Sequence, residues 1–139
     1  MRTLDKLQPL GLVAMRIALG AVMIAHGYPK VTNIHGVEKM LAGMGIPAWM
    51  AYLTAGAEFF GGILIIIGLL TRPAAVALLI DMVVAIAKVH WKNGLTGQGN
   101  YQLPMVLAAI SLALIFLGAG PIALDAIIGR GRGGKKGSA

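Results

Sequence analysis

Apolar residues fill four long runs of this chain, and most polar residues fall between them. Leu10 to His26 is broken only by Arg16, Ala51 to Leu70 contains Glu58, Pro73 to about Trp91 contains Asp81, and Leu103 to Leu117 carries no charge. A helix needs roughly 20 mostly apolar residues to cross a hydrocarbon core of ~30 Å. The pattern therefore predicts an all-α fold, an integral membrane four-helix bundle.

The second run has the most informative period. Ala51, Thr54, Glu58, Gly61, Ile65 and Gly68 recur at spacings of three and four, which places them on one helical face. Small residues let helices approach closely in lipid, leaving Phe59, Ile63, Leu64, Ile66 and Ile67 for acyl chains. A charge at mid-membrane costs at least ~2.5 to 3.5 kcal/mol, so such a group faces protein or a wet cavity. Glu58 is expected to point inward and to mark the centre of function.

In the first run, Gly11, Ala14, Ala18, Ala21 and Ala25 form a small-residue seam, which is expected to be the packing face. Arg16, Gly20 and Met23 then lie opposite it, with His26 offset from Arg16 by about 80°. The Gly, Pro and Asn signals from His26 onward predict a loop holding one short interfacial helix, Val37 to Met44. Tyr28, Trp49 and Tyr52 suit the headgroup region.

Thr71, Arg72 and Pro73 form so short a link that the second and third helices must be antiparallel neighbours. Ala77, Asp81 and Lys88 share a face of the third helix, which ends at His90, Trp91 and Lys92. The last span, Leu103 to Leu117, reads as a packing helix. Gly118 to Pro121 break the pattern before a short segment with Asp125. The expected organisation is one membrane domain, 1–128, followed by a basic flexible tail, 129–139.

Composition narrows this picture. The 139 residues are 58% hydrophobic and 12% charged, far from an average soluble domain. The net charge of +7 lies between apolar spans rather than in a basic and aromatic stretch, so nucleic acid is not an expected partner. It reads instead as topology. Arg2, Lys6, Arg72, Arg130, Arg132, Lys135 and Lys136 outnumber Lys30, Lys39, Lys88 and Lys92, which favours both termini in the cytoplasm. Arg16 interrupts the first run and no small-residue cleavage site follows it, so that run reads as an uncleaved span. Cysteine is absent, which excludes disulfide exchange through a CxxC pair.

The candidate chemistry lies on a polar ladder. Arg16 and Asp81 match best in depth, and their pairing is either structural or part of a ligand site. With Arg16 taken by Asp81, Glu58 has no cation at its own depth, and a proton-accepting role follows. His26 and His90, at the ends of the first and third spans, could bind haem, bind a metal, hydrogen-bond a quinone carbonyl, or be satisfied by interfacial water. The methionines are dispersed, as in irregular cores, and no metal site is expected.

Four ordered pieces carry a resemblance over nearly the whole chain: HGYPK, AEFFGGILIIIGLLTRPAA, the loop running into NYQLP, and GAGPIALD. They resemble the DoxX family of small bacterial membrane proteins. The most specific part is the set Ala57, Glu58, Gly61, Gly62, Gly68, Leu69, Thr71 and Arg72. The resemblance implies a role in membrane oxidoreductase complexes, as in a thiosulfate:quinone oxidoreductase subunit, or in resistance to quinone-like electrophiles. Residue by residue, it touches His26, Gly27, Lys30, Glu58, Gly61, Gly62, Thr71, Arg72 and Asp125. Where relatives have Glu, this chain has Gln102.

The expected function is thus a bacterial inner-membrane component of a quinone-linked redox system, such as a subunit of an oxidoreductase, with quinone the expected cofactor and haem below it. Glu58 would exchange protons, while His26, Lys30, His90, Arg16 and Asp81 are the candidate ligand-binding residues. A redox partner protein or a second copy of the chain is expected beside the lipid bilayer. The alternatives are a small proton-coupled transporter and a structural or assembly subunit.

Overall fold

The computed structural model describes residues 1–136, with side chains for residues 1–131, and the described part contains no strand. The helices are α1 (Arg2–Asp5), α2 (Gln8–Thr32), α3 (Ile34–Gly43), α4 (Met50–Ile67), α5 (Thr71–Ala85), α6 (Gln102–Leu117) and α7 (Leu124–Lys136). A π-helical turn, Ile86–His90, and a 3-10 turn, Trp91–Asn93, prolong α5. Three helical stretches are long and apolar enough to cross a membrane, namely Gln8–Thr32, Met50–Ile67 and Thr71–Asn93, and α6 is a shorter apolar helix.

The first departure from the sequence reading concerns the end of α2. Pro29 was expected to belong to a loop, yet the helix runs through it to Thr32. Proline removes one helical hydrogen bond, a cost a helix tolerates where neighbouring groups support it. Asn33 then turns the chain, and its side-chain oxygen accepts from the Gly36 amide at 3.3 Å to cap α3. A short helix, α3, forms nearly where the interfacial one was expected, burying Val37 and Leu41 against Ala51.

The packing face of α2 is the second departure. Gly11, Ala14, Ala18, Ala21 and Ala25 are all exposed, and the buried face is Arg16, Leu19, Gly20, Met23 and Gly27. The reason is backbone approach. A Cβ on Gly20 would come within 2.6 Å of the Gly62 carbonyl oxygen, and one on Gly27 within 2.5 Å of the Phe59 nitrogen. Alanine cannot take those positions, so the two glycines set the face along which α2 runs antiparallel to α4. On α4 the expected face is the one buried, including Ala51, Glu58, Gly61 and Ile65.

Arg16 does not pair with Asp81. Its guanidinium donates to the carbonyls of Ile65 at 3.0 Å, Ile66 at 2.7 Å, Ala119 at 3.0 Å and Ile122 at 2.7 Å. The first two lie in the last turn of α4, where the Ile65 carbonyl also accepts from the Gly68 amide at 3.3 Å. Across the turn, Asp125 of α7 accepts from the Leu70 amide at 2.8 Å and the Thr71 amide at 2.9 Å, at the start of α5. Gly68, with φ +72°, makes the turn between them. Both open ends of the α4–α5 hairpin are thus closed by side chains from α2 and α7, as a non-aqueous setting requires.

Leu19, Met23, Ile65, Leu78 and Leu114 form the centre of the core, drawn from α2, α4, α5 and α6. Helix α7 carries the chain to Lys136, through part of the segment expected as a flexible tail. Residues 137–139 of that tail lie outside the described residues.

Candidate functional site

A cavity of about 350 Å³ lies between α3, α4 and α5. Its walls are apolar: Val37, Met40 and Leu41 from α3, Met50, Leu53 and Ala57 from α4, Ile80 and Val84 from α5, and Val89 from the π-helical turn. Its polar groups are Lys30, Thr54, Glu58 and Asp81. The volume falls within the range of small-molecule sites, which are mostly apolar with a few placed polar groups.

Local structure explains how these four meet. Gly27 brings the α2 backbone against Glu58 and Phe59, and Lys30 lies one turn further along α2 because the helix continues through Pro29. Its ammonium donates to Glu58 Oε1 at 2.6 Å. Thr54 precedes Glu58 by one turn of α4 and faces α5, where its hydroxyl donates to Asp81 Oδ1 at 2.5 Å. Glu58 is only 3% exposed. Asp81 and Glu58 line the same cavity from α5 and α4. Glu58 Oε2 and Asp81 Oδ2 are both buried and have no donor.

Buried carboxylate oxygens without donors carry an unmet desolvation cost. Beside an apolar cavity, they are also free to engage a ligand. The arrangement supplies a cation that donates hydrogen bonds, a pair of groups able to hold or release a proton, and an apolar volume next to them.

Of the residues expected at a site, Glu58, Lys30 and Asp81 are brought together here. His26 and His90 do not line the cavity. His26 Nδ1 is bonded to the Val22 carbonyl at 2.8 Å, and His90 Nδ1 to the Gly99 carbonyl at 2.7 Å. Arg16 serves the far hairpin turn, away from the cavity. Lys88, expected to share a face with Asp81, is exposed, and Ala85 and Val89 line the cavity in its place. The sequence reading placed Thr54 on the correct face but gave it no chemical role, and it did not anticipate α3 as a cavity wall. Thr54's spacing of one turn from Glu58 was the available signal.

At the opposite end, burial pushes the Asp125 carboxyl up, but the Thr71 and Leu70 amides and the charge of Arg16 outweigh it and hold it below the usual aspartate value.

The DoxX family model matches residues 11–91, more than half of the chain and the stretch that contains every cavity-lining residue. The protein belongs to the DoxX family. CatD of Bacillus subtilis, provisionally named an oxidoreductase, is 30% identical to it over 93% of this chain and 95% of its own length. The Escherichia coli inner membrane protein YphA is 29% identical over 85% of this chain and 90% of its own. YqjF, a second E. coli inner membrane protein, is 35% identical over about half of each chain, 52% and 55%. No solved structure matches. Family and apolar helices together make this a DoxX-type membrane protein.

Proposed function

We propose that this DoxX-family protein is an integral membrane component of a quinone-linked redox system, and that the cavity between α3, α4 and α5 holds a quinone-like or other small aromatic ligand. One observation carries the reading: an apolar cavity whose polar groups are a lysine, a threonine and two acids. A quinone presents an apolar ring and carbonyl oxygens that accept hydrogen bonds. Lys30 would donate to a carbonyl, and Glu58 would exchange the proton that must accompany electrons. The electrons come from a redox partner protein. The oxidoreductase name of CatD, over nearly the full chain, supports the same reading.

In this reading α2, α4, α5 and α6 form a four-helix bundle in the bacterial inner membrane, with both termini in the cytoplasm. Lys30 and α3 then lie toward the outer surface, and Leu53 and Ile80, both 59% exposed, stand where the cavity meets lipid. A quinone would enter from the bilayer.

The test is purification in mild detergent, solvent extraction and mass spectrometry of what is extracted. The expected result is a co-purifying quinone, lost in Lys30→Met. Glu58→Gln should retain the quinone yet lower quinone-dependent proton uptake in membranes by about 10²-fold or more. A protein that carries no quinone and binds none when short-chain quinones are added sinks the reading.

A further inference from the structure

The polar end of the cavity presents a problem of hydrogen counting. Glu58 of α4 and Asp81 of α5 line the same cavity, and Asp81 is bonded to Thr54, one turn before Glu58 on α4. Each has one oxygen already served: Glu58 Oε1 by Lys30 and Asp81 Oδ1 by Thr54. The second oxygen of each is buried without a donor. An ionised carboxylate can only accept, so two ionised neighbours cannot satisfy each other. Two neighbouring negative charges also repel strongly where water does not screen them.

The other groups facing this point do not resolve it. Lys30 is the cation contributed by α2, and the residues of α3 that line the cavity are apolar. Lys88 is exposed and off the cavity, and His26 and His90 are turned to backbone carbonyls. A hydrogen atom between the two acids supplies the missing donor.

We propose that Glu58 and Asp81 share a single proton between Glu58 Oε2 and Asp81 Oδ2, which makes Asp81 a second proton-exchanging residue of the cavity. Thr54 is a positioning residue that holds the outer oxygen of Asp81, and Lys30, besides donating to the ligand, holds the outer oxygen of Glu58, which leaves the inner oxygens to each other. The network then runs Thr54, Asp81, proton, Glu58, Lys30. It carries one negative charge on the acid pair and one positive charge on Lys30, so its floor is electroneutral. The ligand it suits is an uncharged, bilayer-soluble carbonyl compound, because an anionic amphiphile would bring uncompensated charge into the apolar walls. The use of this proton in turnover rests on the quinone reading, but its position does not.

Infrared difference spectroscopy of the ligand-free protein in bilayers at neutral pH tests this. The protein is prepared with carboxyl-labelled (carbon-13) aspartate or with labelled glutamate. The expected result is a protonated-carboxyl band that responds to both labels, shifts in heavy water, and is lost in Glu58→Gln and in Asp81→Asn alike. Glu38 and Asp125 add no such band. Glu38 is held low first by its Tyr52 hydrogen bond and Asp125 by its backbone amides against the pull of burial, so both are ionised. Absence of the band in the unsubstituted protein, response to one label alone, or survival of the band in Asp81→Asn would overturn the proposal. The labelled protein decides even if a variant does not fold. Quinone binding without the band breaks only the shared proton, while the band without quinone binding breaks only the redox reading.

Discussion

The two ends of the α4–α5 pair both bury charge, and they satisfy it in opposite ways. At the hairpin turn, Arg16 gives its donors to four carbonyls and Asp125 takes two amides. These side chains complete helix ends that the backbone cannot complete for itself. At the cavity, Lys30, Glu58, Asp81 and Thr54 serve one another and leave two carboxylate oxygens unserved. Charge consumed by backbone is architecture. Charge left partly unmet beside an apolar volume is available for chemistry.

Substitutions at the two ends should therefore separate into losses of fold and losses of function. Arg16→Met should have the largest effect, because four carbonyls lose the guanidinium, only that of Ile65 keeping an amide from Gly68, and each unmet buried group costs about 1 to 3 kcal/mol. Folded yield and thermal unfolding in detergent would show it. An Arg16→Met protein as stable as the parent would erase the distinction between the ends.

Gly27→Val comes next. Its side chain would strike the α4 backbone at Phe59, and overpacking of this kind costs about 1 to 3 kcal/mol. It should also separate Lys30 from Glu58, so a loss of quinone binding beyond the loss of folded protein is expected.

Asp125→Ala should cost about 1 to 2 kcal/mol, as the loss of a helix cap does. It also carries a pH signature. The Asp125 carboxyl is held below its usual value in the folded protein, so as pH falls the unfolded chain takes up the proton first. The stabilisation is present above the ordinary aspartate value and is lost as pH drops through the lower folded value. Stability measured across the acid range should fall less steeply in Asp125→Ala than in the parent.

Glu58→Gln should have the smallest effect on stability, within roughly 0.5 to 1 kcal/mol, since an amide can still bond Lys30 and Asp81. Unfolding on this substitution would move Glu58 into the architectural class with Arg16.

Much of the fold was legible in the chain. The apolar runs predicted the spanning helices, and the three-and-four spacing around Glu58 predicted which side of α4 is buried. The Thr71, Arg72, Pro73 link predicted an antiparallel hairpin. Arg16 was legible as buried but not in its partners, since backbone carbonyls near residues 65 and 119 have no signature in side-chain pattern. Pro29 misdirected the reading of Lys30. Taken as a helix end, it put Lys30 in a loop, so Lys30 was expected at the ligand but not as the cation that meets Glu58.

Periodicity is a local property, and it determined helix positions, the inward face of α4, and the presence of acids at mid-span. Which face of α2 meets α4 depended on backbone distances that Gly20, Gly27 and Gly62 permit, and those distances are set by the whole packed bundle. The same packing decided that Lys30 reaches Glu58, that Thr54 reaches Asp81, and that α3 closes an apolar cavity over them. Such contacts join residues some 27 positions or more apart, where tertiary approach and not chain pattern controls which polar group finds a partner.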